Sequence, residues 1–136
     1  MRFFPLLVFF LSAKAWACGY CVEDKIAAVY DHAAVSRSIA AGRIVVFFAI
    51  DGELKHGAAD SARTRARIEK LAAAVPGVEP GSVRASAEAA ALALAYDPKR
   101  TGLAEVQKAL ERKLKLPLLA MQVMDRPGEL AAARDR

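Results

Sequence analysis

Apolar and polar residues alternate along this chain with periods that change several times. Over residues 22–41, "VEDKIAAVYDHAAVSRSIAA", Val22, Ile26, Val29, Tyr30 and Ala33 recur at spacings of three and four, which predicts one helix. Glu23 and Asp24 fall in its first turn, where the helix dipole favours anions, and Gly42 follows as its C-cap. The next run, "RIVVFFAID" at 43–51, is β-branched and aromatic and closes on Asp51-Gly52, which predicts a strand. Ile44, Val46, Phe48 and Ile50 fall on one side of it, and Val45, Phe47 and Ala49 on the other. Both sides are apolar, so a covering layer is expected on each.

A polar loop, "GELKHGAAD", leads to a second helical pattern at 61–75, with Ile68, Leu71, Ala72 and Val75 as its buried stripe and Pro76-Gly77 as its stop. Asp60 or Ser61 is the expected N-cap. "SVRASAEA" and "AALALAYDP" read as two short strands. A third helix at 101–115 places Leu103, Val106, Leu110 and Leu114 on one face, with Thr101 as cap, and "PLLAMQVM" reads as a last strand. The order after the first helix is βαββαβ, the split βαβ unit. The expected class is therefore α+β: a ferredoxin-like βαββαβ sandwich with an additional N-terminal helix covering or flanking the antiparallel sheet.

Residues 1–17, "MRFFPLLVFFLSAKAWA", do not belong to that pattern. One early cation, a short apolar run and Ala15-Trp16-Ala17 before Cys18 have the anatomy of a secretory signal peptide, cut between Ala17 and Cys18. The run is too short for a membrane-spanning helix of about 20 apolar residues. A cut before cysteine also raises lipid attachment at Cys18, but lipoprotein signals carry Leu three residues before the cysteine and a small residue two before, where this chain has Ala15 and Trp16. The chain then divides into a signal at 1–17, a cysteine-bearing helix at 18–42, a sandwich at 43–124 and a polar tail at 125–136.

Removing 17 of the 136 residues leaves 119, one domain of ordinary size. Arg2 and Lys14 go with the signal, so 20 basic residues fall to 18 against 15 acidic ones, a net +3 rather than +5. The cations are spread along the chain and the expected destination is outside the cytoplasm, in the periplasm; nucleic acid is a poor partner for such a surface.

Part of the sandwich resembles a known family. "LAAAVPGVEPGSVRAS" is similar to the helix end and Pro-Gly-Val turn of heavy-metal-associated domains, found in copper chaperones and metal-transport ATPases, and "LALAYDPKRTGLAEVQKALE" to their third strand, Asp-Pro corner and second helix. The likeness covers residues 43–123 and implies the same fold and a metal-handling role. The family's Cys-x-x-Cys, however, lies between the first strand and first helix, where this chain reads "DGELKHGAADSAR" without cysteine.

Both cysteines stand instead in "CGYC", Cys18 and Cys21, ahead of the first helix. A helix of 20 residues is about 30 Å long and a strand of eight about 26 Å. If the two run antiparallel through Gly42, the pair returns to the strand's far end, beside the loop that holds His56. Two thiolates two residues apart grip a soft ion, Cu(I) or Zn(II), and an imidazole is an acceptable further ligand. The expected site is thus Cys18, Cys21 and His56, with a metal-transfer protein as partner. His32, on a continuous helix, lies about 16 Å from Cys21 and is a poor ligand.

Other readings of the same residues stay open. An exported C-x-x-C also serves thiol–disulfide exchange, although a thioredoxin-type enzyme has a strand before its motif. A structural disulfide would close only a tiny loop and stabilise little. A histidine in a polar loop is ordinarily solvated, and an interaction domain without metal is a third possibility. No Ser-His-Asp set, phosphate loop or paired-carboxylate motif points to an enzyme.

Overall fold

The computed structural model describes residues 21–54 and 57–126. The segment expected to be a signal, the cut expected between Ala17 and Cys18, His56 and the tail beyond Arg126 lie outside the described residues.

The strand expected at 43–51 forms at Ile44–Ile50 (β1), and its two apolar sides go to two separate cores. Val46, Phe48 and Ile50 pack with Ile68 and Ala72 of a helix at Ala58–Ala73 and with Val106, Leu110 and Leu114 of a helix at Leu103–Leu114. Val45 and Phe47 pack on the opposite side with Ile26, Val29 and Val35. Phe47 and Phe48, neighbours on one strand, are both fully buried, each in its own core. A strand with two apolar faces demands this, since leaving either Phe in water forfeits about 2 kcal/mol or more.

The remaining strands, Arg84–Ser86 (β2), Ala91–Tyr96 (β3) and Leu118–Met124 (β4), complete a four-stranded antiparallel sheet in the order β2-β3-β1-β4. The fold is α+β and ferredoxin-like, with an extra helical layer on the sheet face that the sandwich helices leave open.

That extra layer differs from the expectation of one helix. It is two, Val22–Val29 (α1) and His32–Ala40 (α2), separated by extended backbone at Tyr30 and Asp31. Asp31 ends the periodicity because its short carboxylate takes the N–H of Ala34 at 3.1 Å, capping a new helix rather than continuing the old one. The break turns the Tyr30 ring onto Phe47, with centroids 6.3 Å apart. The estimate that places His32 along a continuous helix from Cys21 therefore does not apply.

The Ala58–Ala73 helix (α3) begins three residues earlier than expected, at Gly57 with φ +115, so neither Asp60 nor Ser61 caps it. The Ser61 hydroxyl is buried with no hydrogen-bond partner among the described residues. The Leu103–Leu114 helix (α4) starts after Gly102 rather than Thr101 and ends on Lys115 in the left-handed region. Between α3 and β2, Gly77 adopts φ +87, and a Cβ there would lie 2.5 Å from Thr101 Cγ2. The first of the two short strands shrinks to three residues because a 3-10 turn at Pro80–Ser82 precedes it and a turn through Ala90, φ +50, follows it.

Candidate functional site

Cys21 is the residue before α1, in extended backbone, and its thiol is exposed and free. Its carbonyl accepts the Lys25 N–H at 2.9 Å, which fixes it one helical turn from Lys25. The thiol donates to Asp24 Oδ2 at 3.1 Å.

Lys25 in turn fixes α1 to the sheet. Its ammonium donates to the Ala89 carbonyl at 2.6 Å and reaches the Ala90 carbonyl at 3.4 Å. The same Ala90 carbonyl accepts the Ile50 N–H at 2.8 Å. Through these contacts Cys21 sits toward the Ile50 end of β1, the end from which the chain leaves for α3. The antiparallel return expected from helix and strand lengths therefore holds for Cys21 even though the helix is broken.

The remainder of the expected ligand set falls elsewhere. Cys18 and His56 lie outside the described residues, and so does the Cys21–His56 separation. His32 is exposed at the start of α2, its Nδ1 3.2 Å from the Tyr30 hydroxyl. Among the described residues no three of His, Cys, Asp and Glu gather in the manner of a metal site.

Two participants escaped the sequence pattern. Asp24 stands three residues after Cys21, a spacing that puts two side chains on one helix face, and that signal was available. Lys25 gave none, because its acceptors are backbone carbonyls 64 and 65 residues away. Farther along the same layer, Arg84 donates from Nε and Nη2 to Asp31 Oδ2 at 3.1 and 3.0 Å. The Ala34 N–H first, and Arg84 after it, hold the Asp31 carboxyl below its ordinary range. A cleft of about 330 Å³ between α2 and the 3-10 turn is lined by Arg37, Ser38, Arg43, Glu79 and Ser82. Arg43 and Glu79 bind each other across it at 2.9 Å.

No helix of the described residues is long and apolar enough to cross a membrane. Set against family models, curated proteins and solved structures, the chain matches none of them.

Proposed function

We propose that the protein is an exported domain that binds a soft metal ion, Cu(I) or Zn(II), as cargo and passes it to a partner protein. Cys18 and Cys21 are the thiolate ligands in this reading, with His56 as a further donor. The observation that carries it is the position of Cys21: exposed, at the start of a helix anchored by Lys25, and at the Ile50 end of β1. The loop holding His56 departs from that same end. In the heavy-metal-associated domains that residues 43–123 resemble, the thiolate pair belongs to this loop, so the displaced CGYC supplies at the sheet's end what the loop has lost. Thiolates and imidazole suit these ions, and a neighbouring carboxylate, Asp24, is an acceptable oxygen donor for zinc.

The test is a titration of the reduced, purified protein with Cu(I) and separately with Zn(II), comparing the wild type with Cys21→Ser, Cys18→Ser and His56→Ala. One ion per chain, lost in both cysteine variants and weakened in His56→Ala, is the expected result. Absence of binding in the wild type overturns the reading. A disulfide that exchanges readily with glutathione would then favour redox work for the same pair.

A further inference from the structure

The two edges of the sheet are unlike. β2 is three residues long, carries Arg84 bound to Asp31, and has α1 and α3 packed against it. β4 is seven residues, "LLAMQVM", without charge or proline, and its Leu119 is 66% and Val123 37% exposed. A long uncharged edge strand offers its outward backbone groups to another strand, which is why such edges are ordinarily shortened, charged or covered.

Which groups point outward follows from the ladder. Asp51 N–H donates to the Pro117 carbonyl at 2.9 Å, and antiparallel pairs alternate between bonded and unbonded positions. Leu118 and Ala120, one and three residues on, therefore turn their amides and carbonyls away from β1. Gln107 Nε2 already donates to the Leu118 carbonyl at 2.8 Å, which leaves the outward bonding to start at Ala120. A bulge between Phe47 and Phe48 then inserts Met121 as an unpaired residue. Beyond it Val123 pairs with Val46, which faces β3, so Val123 also points its backbone outward, where its carbonyl accepts only a long 3.5 Å bond from the exposed Gln122 Nε2 that a strand amide can displace.

The bulge also exchanges the faces. Before it, Ala120 lies opposite Phe48 on the α3–α4 side; after it, Val123 lies opposite Val46 on that side. Leu119 and Met124, opposite Ala49 and Val45, lie on the α1–α2 side. An added strand of regular pleat keeps its two faces matched on one side of the bulge only. A strand with the same bulge, run antiparallel, keeps them matched on both.

We propose that the occupant of this edge is a second copy of the chain, joined through β4 about a two-fold axis between Met121 and Gln122. Ala120 then lies opposite Val123 of the second copy, both with outward amides and carbonyls, and Leu119 lies opposite Met124 of the second copy on the α1–α2 face. The interface is isologous, each copy giving and receiving the same contacts. It does not involve CGYC and stands whether or not the protein carries metal.

The test expresses the full chain and measures mass by sedimentation over a range of concentrations, with thiol reductant and chelator present to remove disulfide- and metal-bridged species. The wild type is expected to sediment as a dimer. Val123→Pro removes one outward amide while sparing the bonds to β1, and Leu119→Lys places a charge in the strip; each should halve the mass and keep the wild-type circular dichroism spectrum. Hydrogen exchange on the wild type supplies an independent reading: the Ala120 and Val123 amides should slow as concentration rises. A wild type monomeric throughout overturns the proposal, as does a dimer that both folded variants retain. Exchange at these two amides that is slow at every concentration also overturns it, since the edge is then covered by the chain's own remaining residues.

Discussion

Arg84 reaches across from β2 and places two guanidinium nitrogens on one oxygen of Asp31, at 3.1 and 3.0 Å, while the other oxygen caps α2 through Ala34. One carboxylate thus starts a helix and ties it to the sheet edge. Removing the cap leaves a backbone N–H without its partner, whereas a half-exposed ion pair contributes little. Asp31→Ala should therefore lower the melting temperature more than Arg84→Met. The sign with pH follows from the lowered carboxyl: its contribution is present above the ordinary aspartate range and is lost as pH falls through that range and below. Asp31→Asn keeps the cap and should flatten this acid limb. Equal acid sensitivity in the variant and the wild type would count against the pairing.

Phe47 measures whether the α1–α2 layer is packed on the sheet. It is fully buried there under Val29, Val35 and the Tyr30 ring. Phe47→Ala should cost about 3–5 kcal/mol in denaturant unfolding, the range for large buried aromatics. Tyr30→Ala, at a half-exposed ring, should cost about 1 kcal/mol. A loss under 1 kcal/mol for Phe47→Ala would mean that the face is open.

Gly77 is the position in the sandwich where a side chain fits least. Gly77→Ala combines a left-handed φ with a Cβ 2.5 Å from Thr101 Cγ2, and should destabilise by about 1–3 kcal/mol. Adding Thr101→Ala removes that methyl and should recover part of the loss. Chemical denaturation of the two variants and the double variant measures the coupling; simple additivity would refute the contact.

Lys25 anchors the helix that presents Cys21. Lys25→Met leaves the Ala89 carbonyl without its ammonium partner and should cost about 1–2 kcal/mol. Hydrogen exchange should speed up through α1 and remain unchanged in α4. A variant that exchanges like the wild type in α1 would show that Lys25 is dispensable for holding it.

Tyr96 sets an alkaline limit. Burial raises its phenol above the ordinary 10.0, so the unfolded chain gives up that proton first. Tyr96 leaves stability unchanged below about pH 10 and lowers it as pH rises through the ordinary value toward the folded one. Tyr96→Phe should flatten this loss, followed as melting temperature against pH; an identical alkaline slope in both proteins would exclude Tyr96 as the cause.

The sheet and its helices were legible wherever periodicity alone decided them. The two apolar faces of 43–51 demanded two layers, and both are present. The break at Tyr30-Asp31 was not legible, because the Ala-rich pattern continues in phase on both sides of it. The carboxylate that caps the second helix is also held by Arg84, 53 residues away, a partner no local pattern reveals. The length of β2 was misjudged for a similar reason: its alanines and serines suit strand or turn equally, and Pro80 and the left-handed Ala90 limit it. Of the candidate site, the thiol of Cys21 and its end of the sheet followed from element lengths, but the Lys25 anchor depends on carbonyls that no side-chain pattern reveals.

The two helices of the N-terminal layer hold eight and nine residues. Isolated helices shorter than about 12–15 residues are marginal in water, so neither has a template until β1 and β3 have paired beneath it. Synthesis delivers them ahead of the strands they pack on, yet they become stable only once those strands have paired. A newly made chain therefore carries the Cys21 thiol for a time with no helix behind it, open to whatever oxidant or metal donor it meets before the protein has a shape.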